Sequence, residues 1–111
     1  MDLYKQAKSD RLGFWADQAR SLDWHKPFTQ VLDFTNPPFA KWFADGQLNA
    51  SYNCLDRHVE SGLGDRMALL FEGEPGDSAS YTYQELLNET KKAANALTEL
   101  GIKAGDRVAI Y

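Results

Sequence analysis

The sequence predicts an α/β chain whose sheet is incomplete. Residues 82–100 show the apolar spacing of one long amphipathic helix, and two apolar runs, 67–72 and 107–111, flank it as strands. Residues 23–48 are instead rich in proline and aromatic residues and show little periodicity. Together these features predict helices, a short hairpin and one strand-helix-strand unit. We expect two parts, an extension over 1–62 and the beginning of a larger domain over 63–111.

The first residues of the extension predict one capped helix. Residues 1–8 are polar, and we expect them to be frayed. Ser9 or Asp10 can cap the helix that follows, and Gly13 within it suggests that another group packs closely there. The apolar stripe of this helix contains Leu12, Trp15, Ala19 and Leu22.

The proline-rich segment 23–48 is predicted to be extended and laid across another surface. Asn36 precedes the pair Pro37-Pro38, which disfavours a helix and favours an extended path. Residues 40–43 can form a short strand, which the turn pair Asp45-Gly46 would end. The many aromatic rings of this segment need a surface to cover.

A second helix and a hairpin are predicted next. Asn49 can cap the helix, Gly62 lies past its end, and one apolar face contains Tyr52, Leu55 and Val59. Gly64-Asp65-Arg66 then leads into a strand over 67–72. The loop 73–78 reverses the chain, and 80–82 returns as the partner strand.

The clearest predicted element is the long helix. Thr82 and Glu85 form a capping box, and Gly101 takes the left-handed stop position with Ile102 folded back on Leu97. The apolar stripe contains Tyr83, Leu86, Leu87, Thr90, Ala93, Ala94, Leu97 and Leu100.

The last residues predict a buried strand. Residues 103–106 form a tight loop, and residues 107–111 read as the next strand. Val108, Ala109 and Ile110 are consecutive and apolar, which is typical of strands that are covered on both faces. Such a strand needs neighbouring strands and a further helical layer, so we expect the chain to be the front of a longer protein.

Composition excludes several classes of function. The chain has 111 residues, 43% of them hydrophobic and 25% charged, and a formal net charge of −4. An acidic balance disfavours nucleic acid and anionic membranes as partners. The longest apolar run, 67–71, is too short to span a bilayer, and the polar start is unlike a signal peptide. The one cysteine, Cys54, cannot form an internal disulfide, so we expect a reducing cytoplasm.

Few residues suggest chemistry. Cys54 and His58 are four apart and could share a helix face as a thiol–imidazole pair or as metal ligands, but metal sites need three or four ligands. A half-buried thiol and a surface histidine are the favoured interpretation. Asp56, Arg57 and His58 could form a charged site, although ion pairing with other segments is favoured. No pair among the many carboxylates is marked as an acid–base couple.

Two further features have functional alternatives that we disfavour. The loop 73–78 contains two glycines, but no Gly-Lys-Ser/Thr follows, and Glu74 and Asp77 would repel a phosphate. The aromatic residues could stack bases, but the acidic balance favours packing. These rings are Phe14, Trp15, Trp24, Phe28, Phe34, Phe39, Trp42 and Phe43.

Several blocks of the chain resemble a known superfamily. Residues 81–111, "YTYQELLNETKKAANALTELGIKAGDRVAIY", are similar to the opening of adenylate-forming enzymes, which include acyl-CoA synthetases and luciferases. The blocks "FWADQARSLDW", "PFTQVLDFTNPPFAKWFADGQLN" and "NCLDRHV" resemble the N-terminal extension of short-chain acyl-CoA synthetases, above all the AMP-forming acetate–CoA ligase family. The residues "NPPFAKWF" of the second block and the later residues "EGEPGDS" resemble the bacterial members of this family, in particular the actinobacterial ones. Propionate–CoA ligases share much of the extension and stay an alternative.

This resemblance implies a two-step reaction in a full-length enzyme. Acetate and Mg-ATP would give acetyl-adenylate and diphosphate, and CoA would then displace AMP. Such enzymes use ATP, CoA and Mg²⁺, a Gly- and Ser/Thr-rich phosphate loop ending in Pro-Lys, and a lysine in a small C-terminal domain. None of these motifs occurs in residues 1–111, so no catalytic, cofactor-binding or metal residue is carried over. We expect the chain alone to bind none of these ligands.

The matching residues are therefore expected to be architectural, and the partner of the chain to be the remainder of its own protein. Self-association of the isolated chain is a further expectation, and a stand-alone interaction module is the alternative from a different class. The residues that match are Trp15, Trp24, Trp42, Asp45, Gly46, Asn53, Asp56, Arg57, Gly101, Gly105 and Asp106.

Overall fold

The structure is a computed structural model that describes residues 2–110. It contains two compact units, Met1–Asn53 and Cys54–Tyr111. The two units divide between residues 53 and 54, whereas the boundary predicted from the sequence lies between residues 62 and 63. The elements are α1 (Leu3–Ser9), α2 (Arg11–Arg20), β1 (Leu32–Asn36), β2 (Phe39–Trp42), β3 (Met67–Glu72), β4 (Ser78–Thr82) and α3 (Tyr83–Glu99), with π-helical segments at Tyr52–Asp56 and Val59–Leu63.

The polar N-terminal residues form a helix, so the prediction of a frayed segment was wrong for α1. The side chain of Asp2 caps this helix by accepting a hydrogen bond of 3.1 Å from the Tyr4 N–H. None of its residues is buried. The Asp2 cap favours the helix by supplying an acceptor for one of its first N–H groups. Met1 lies outside the described residues.

Asp10 caps α2, as the sequence predicts. Its carboxylate accepts from the Gly13 N–H at 2.9 Å. A Cβ atom on Gly13 would lie 2.8 Å from the Asp10 Cγ, so the close neighbour that this glycine suggested is the cap itself. Of the predicted apolar stripe only Ala19 is buried, whereas Trp15 is 45% exposed.

A hairpin that the sequence analysis missed lies within the proline-rich segment. β1 and β2 pair antiparallel, with Leu32 opposite Trp42 and Asn36 opposite Phe39. Pro37 and Pro38 form its turn, and the peptide bond between them is cis. The predicted strand over 40–43 is β2, which ends at Trp42.

The helical stretch 50–63 begins at its predicted cap. The Asn49 Oδ1 atom accepts from the Tyr52 N–H at 3.2 Å. Two π-helical segments widen this stretch, because i→i+5 bonds replace the usual i→i+4 pattern. Gly62 has a φ of +82°, the left-handed conformation expected where a helix stops.

The second hairpin agrees with the prediction, and β4 begins at Ser78 rather than at Ser80. β3 and β4 pair antiparallel, with Leu70 opposite Ser80 and Glu72 opposite Ser78. The connecting turn is closed by a 2.7 Å hydrogen bond from the Gly73 N–H to the Asp77 carbonyl.

The N-terminus of α3 has all of its first amide groups bonded. The Thr82 hydroxyl accepts from the Glu85 N–H at 3.2 Å, and the Glu85 carboxylate accepts from the Thr82 N–H at 2.9 Å. The next two donors, on Tyr83 and Gln84, reach the carbonyls of Arg66 and Gly64 at 3.0 Å each. The predicted capping box is confirmed, and the 64–66 loop completes it.

The C-terminus of α3 is a Schellman stop. The Ile102 N–H donates to the Leu97 carbonyl at 3.1 Å, and the Gly101 N–H donates to the Thr98 carbonyl at 2.9 Å. Gly101 has a φ of +82°. The predicted stop at Gly101 and Ile102 is therefore confirmed.

The predicted strand over 107–111 does not form in the described residues. Residues 107–110 are exposed and unpaired, with Val108 at 53% and Ile110 at 98% exposure, and Tyr111 lies outside the described residues. A strand requires a hydrogen-bonded neighbour, and β3 and β4 pair only with each other here. The strand-helix-strand unit is thus not formed, although the α/β class holds.

The apolar stripe of α3 is only partly covered. Leu87 is 5% exposed, but Leu97 and Leu100 are 38% and 77% exposed. The prediction placed the stripe correctly and overestimated how much of it is buried in this structure. Among residues 2–110, no helix is both long and apolar enough to cross a membrane.

Replacing Thr82 with alanine should destabilise α3. The Thr82→Ala variant leaves the Glu85 N–H without its acceptor, and we expect a loss of about 1 kcal/mol in the free energy of unfolding. Urea unfolding followed by circular dichroism at 222 nm measures this. Thr98→Ala is the matched control. The Thr98 hydroxyl donates to the Ala94 carbonyl within the helix and caps no N–H group. An equal loss in both variants would contradict the capping role.

Candidate functional site

An aromatic cluster organises the first unit. Its closest rings are Phe28 and Phe43, whose centroids are 4.8 Å apart, and Trp24 lies 5.1 Å from Phe28 in an edge-to-face arrangement. Rings that contact one another in this way are occupied in packing, which agrees with the packing interpretation for these rings. Phe34 and Phe39, which that interpretation included, are instead 51% and 67% exposed. The cluster consists of Phe14, Trp15, Trp24, Phe28, Trp42 and Phe43.

Phe43 enters the cluster through an unusual backbone conformation. Its φ is +50°, which is rare for a residue with a bulky side chain. The backbone around it is held by a 3.0 Å bond from the Phe43 N–H to the Val31 carbonyl and another from the Gly46 N–H to the Phe43 carbonyl. The chain therefore leaves β2 in a fixed direction.

Trp24 closes the cluster against the turn after β2. A Cβ atom on Gly46 would lie 2.5 Å from the Trp24 ring, so the indole can only approach because residue 46 is glycine. The indole N–H of Trp24 donates to the Ala19 carbonyl at 2.7 Å. The ring thus joins the end of α2 to the 45–46 turn.

Asp45 fastens the irregular chain beside this cluster. Its carboxylate accepts from the Thr29 hydroxyl at 2.5 Å and from the Thr29 N–H at 2.9 Å. The Gln30 N–H points to the same carboxylate at 3.4 Å. The Thr29 hydroxyl, followed by these backbone donors, lowers the pKa of Asp45 to about 2. The sequence marks Asp45 as part of a turn and as one of the residues expected to be architectural, but it does not indicate its partner Thr29.

Asn53 fastens the start of the same segment. It is 7% exposed, and its amide accepts from the Asp23 N–H at 2.8 Å while donating to the Asp23 carbonyl at 2.9 Å. It also donates to the Asn49 carbonyl at 3.0 Å. One buried side chain therefore replaces the backbone partners that a strand would supply at residue 23.

Two other carboxyl groups have lowered pKa values for similar local reasons. The Thr35 N–H and hydroxyl lower the pKa of Asp33, and the Thr82 N–H and hydroxyl lower that of Glu85. Each anion is already satisfied by a threonine of its own turn or cap. These carboxylates are structural acceptors, and nothing in their surroundings favours a proton-transfer role.

The candidate residues on the second helical stretch are not gathered into a site. The prediction of a half-buried thiol and a surface histidine was wrong, because Cys54 is exposed and His58 is half-buried, with its ring centroid 5.0 Å from that of Tyr83. Asp56 and Arg57 are half-buried. Within residues 2–110, no three His, Cys, Asp or Glu side chains are grouped to hold a metal ion.

The glycine-containing loop 73–78 is closed on itself. The Gly76 N–H donates to the Gly73 carbonyl at 2.9 Å, and the Gly73 N–H donates to Asp77. These backbone donors are therefore not directed at a ligand. The loop has the geometry of a hairpin turn.

The chain matches two protein families in succession. The family described as "Acetyl-coenzyme A synthetase N-terminus" matches residues 1–54, and the family described as "AMP-binding enzyme" matches residues 55–111. The chain belongs to the AMP-binding enzyme family. The second match covers the blocks on which the predicted resemblance to adenylate-forming enzymes rests, and that prediction is confirmed.

Relatives of this AMP-binding enzyme chain match it over almost all of its residues. The acetyl-coenzyme A synthetase of Streptomyces avermitilis is 66% identical over 110 residues, and that of Mycobacterium tuberculosis is 62% identical over 111 residues, each covering 99% of the chain. The synthetase of Cupriavidus metallidurans is 57% identical over 98% of the chain. The predicted similarity to bacterial and actinobacterial acetate–CoA ligases is confirmed. The chain spans 17% of the length of these relatives.

The structure gives nine of the eleven matching residues a local role in packing, hydrogen bonding or turn conformation. Trp15, Trp24 and Trp42 lie in the aromatic cluster, Asp45 and Asn53 bond the backbone, and Gly46 admits the Trp24 ring. Gly101 and Gly105 have φ values of +82° and +96°. The Asp106 carboxylate accepts from the Lys103 N–H at 2.7 Å and closes the last turn.

Acid should release the Asp45 contacts only at very low pH. The folded-state pKa of about 2 lies below the ordinary value of 3.8, so the ionised carboxylate stabilises the fold above pH 3.8. That contribution is lost as the pH falls from 3.8 through about 2. We expect an NMR titration to show the Asp45 side-chain carbon and the Thr29 amide proton changing together in this range.

The Asp45→Asn variant tests the cause. It should shift the Thr29 amide resonance at neutral pH and abolish its acid titration. Asp65→Asn is the control, because Asp65 is exposed on a different loop. A Thr29 amide that titrates unchanged in Asp45→Asn would disprove the assignment.

Truncating Asn53 should destabilise the first unit. Asn53→Ala leaves the Asp23 N–H and carbonyl without their side-chain partners, and we expect a loss of about 1–3 kcal/mol in the free energy of unfolding. Urea unfolding followed by tryptophan fluorescence measures this. Asn88→Ala, which removes an exposed contact with Gln84 at 3.1 Å, should change stability by less than about 0.5 kcal/mol. Equal effects would mean that the buried amide has no special role.

Proposed function

We propose that this chain is the N-terminal portion of an AMP-forming acetate–CoA ligase. The observation that carries the proposal is 66% identity, extending over 99% of the chain, to an acetyl-coenzyme A synthetase. The succession of an acetyl-coenzyme A synthetase N-terminus and an AMP-binding enzyme supports the same assignment. In this proposal, residues 1–62 are the extension and residues 63–111 begin the large domain.

The reaction of the whole enzyme would proceed in two steps. A carboxylate oxygen of acetate attacks the α-phosphorus of ATP, and diphosphate leaves. The thiol of CoA then loses its proton, attacks the acyl carbon and expels AMP, which is a far better leaving group than oxide. Mg²⁺ would neutralise charge on the ATP phosphates. These ligands belong to the whole protein in this proposal, and the chain itself supplies no residue that contacts them.

The part assigned to residues 1–110 is architectural. The aromatic cluster, Asp45 and Asn53 hold an irregular segment in one path, and rigid support of this kind is what a binding site elsewhere in a protein requires. Leu100 and Ile110 are 77% and 98% exposed, and we propose that the remainder of the protein covers them. We further propose that residues 107–111 pair there as a strand.

Two finer assignments complete the proposal. We propose a cytoplasmic location, since the one cysteine is a free thiol and ATP and CoA would be the substrates. We also propose that the isolated chain self-associates, because much of its apolar surface is exposed.

Diphosphate release tests the assignment directly. The full open reading frame of the source gene should encode a protein that releases diphosphate from acetate and Mg-ATP, and continuous release should require CoA as well, because CoA clears the acyl-adenylate. The purified 111-residue chain should release none above a boiled control, because the phosphate loop and the acyl site lie outside it.

Three outcomes would contradict parts of the proposal. Acetate-dependent release by the 111-residue chain would disprove its purely architectural part. A preference of the whole protein for propionate over acetate in kcat/KM would replace the substrate. If the rest of the reading frame encodes no ATP-binding motif, the ligase assignment is overturned and a stand-alone interaction module is favoured.

A further inference from the structure

A slot on the first unit combines an apolar lining with one positive charge. Its volume is about 350 Å³. The Arg11 guanidinium carbon lies 5.1 Å from the centre of the Trp42 ring, and Trp15 lies 6.2 Å from Trp42 at an angle of 64°. Arg11, Trp15, Trp42 and Phe43 line this cationic slot.

The guanidinium of Arg11 is held in place but not neutralised. Among residues 2–110, no carboxylate lies within ion-pair distance of it, and its contact is with the face of the Trp42 indole. A guanidinium stacked on an indole keeps its N–H donors at its edge, where they suit a carboxylate. The slot therefore fits an apolar side chain with a carboxylate close beside it.

The chain itself presents such a pair on the second unit. Leu70 and Glu72 are two residues apart on β3, so both side chains lie on the same face of the strand, about 7 Å apart. Leu70 is 74% exposed. The residues opposite them on β4 are Ser80 and Ser78, which are too small to cover the leucine. Within the described residues, Glu72 makes no ion pair.

We propose that Leu70 and Glu72 of one copy dock into the cationic slot of a second copy of this chain. Leu70 packs against the aromatic walls of the slot, and Glu72 pairs with Arg11. The apolar walls reduce the access of water to this ion pair, which strengthens it relative to an open surface pair. This contact deepens the proposed self-association and names the surfaces that carry it.

Charge reversal tests the pairing. Sedimentation equilibrium of the 111-residue chain at 0.15 M salt gives the dimer dissociation constant. We expect Arg11→Glu and Glu72→Arg each to raise that constant at least about tenfold, because each places like charges together. The double variant should return to within about threefold of the unsubstituted chain, because the pair is restored in the opposite sense.

Further variants separate this contact from general effects of charge or folding. Lys103→Glu and Glu74→Arg make the same changes of charge at other exposed positions and should leave the dissociation constant unchanged. Leu70→Ala keeps both charges and should still raise it about tenfold, since the apolar contact is lost. The far-ultraviolet circular dichroism of every variant should match that of the unsubstituted chain, because all these positions except Leu70 carry exposed charged side chains.

Several results would overturn the proposal. The unsubstituted chain could remain monomeric up to about 1 mM, which would mean that no useful affinity exists. The double variant could fail to recover association, or the control reversals could weaken it equally. Each of these results would disprove the Arg11–Glu72 contact and leave the ligase assignment intact, since diphosphate release by the whole protein tests that assignment separately.

Discussion

The first unit depends on side chains that satisfy backbone groups in the absence of regular structure. Between α2 and the helical stretch 50–63, the named secondary structure is the short β1–β2 hairpin. Many backbone N–H and carbonyl groups in this segment therefore have no partner in a helix or a sheet. Asp45 and Asn53 supply partners at the two places where the chain changes direction. Because Asp45 holds Thr29, the neighbouring Phe28 ring is kept against Phe43. The aromatic cluster therefore follows from hydrogen bonding as much as from apolar contact.

The second unit also combines well-satisfied hydrogen bonding with little apolar burial. Its long helix has bonded amide groups at the N-terminus and a complete stop at the C-terminus. Its apolar burial is small, since Leu55 and Leu87 are the large hydrophobic residues below 9% exposure among those described. Local signals thus specify the helix and hairpin, while much of the apolar surface still lacks cover.

The sequence predicted the features that depend on near neighbours. The caps at Asp10, Asn49 and Thr82 and the stop at Gly101 each need information from a few adjacent residues, and all are confirmed. The strand predicted over 107–111 is not formed over residues 107–110, because a strand requires a distant partner and the apolar pattern does not say whether one is present.

The missed features depend on particular conformations or on long-range contacts. The β1–β2 hairpin turns at Pro37-Pro38, a pair that reads equally well as an extended segment. The bonds from Thr29 to Asp45 and from Asp23 to Asn53 join residues 16 and 30 positions apart. No local pattern marks such pairs. The architectural nature of the matching residues was predicted, but their partners could be found only from the structure.

The positive φ of Phe43 limits how this region could be re-engineered or transplanted. Glycine at position 43 would relax the backbone, but it would remove a ring that contacts Trp24, Phe28 and Trp42. Another bulky residue would keep the backbone strain, and a small one such as alanine would also lose the contacts with the neighbouring rings. The turn and its surrounding aromatic residues therefore form one transferable module, and a graft that took the 43–46 turn without those rings would carry the strain alone.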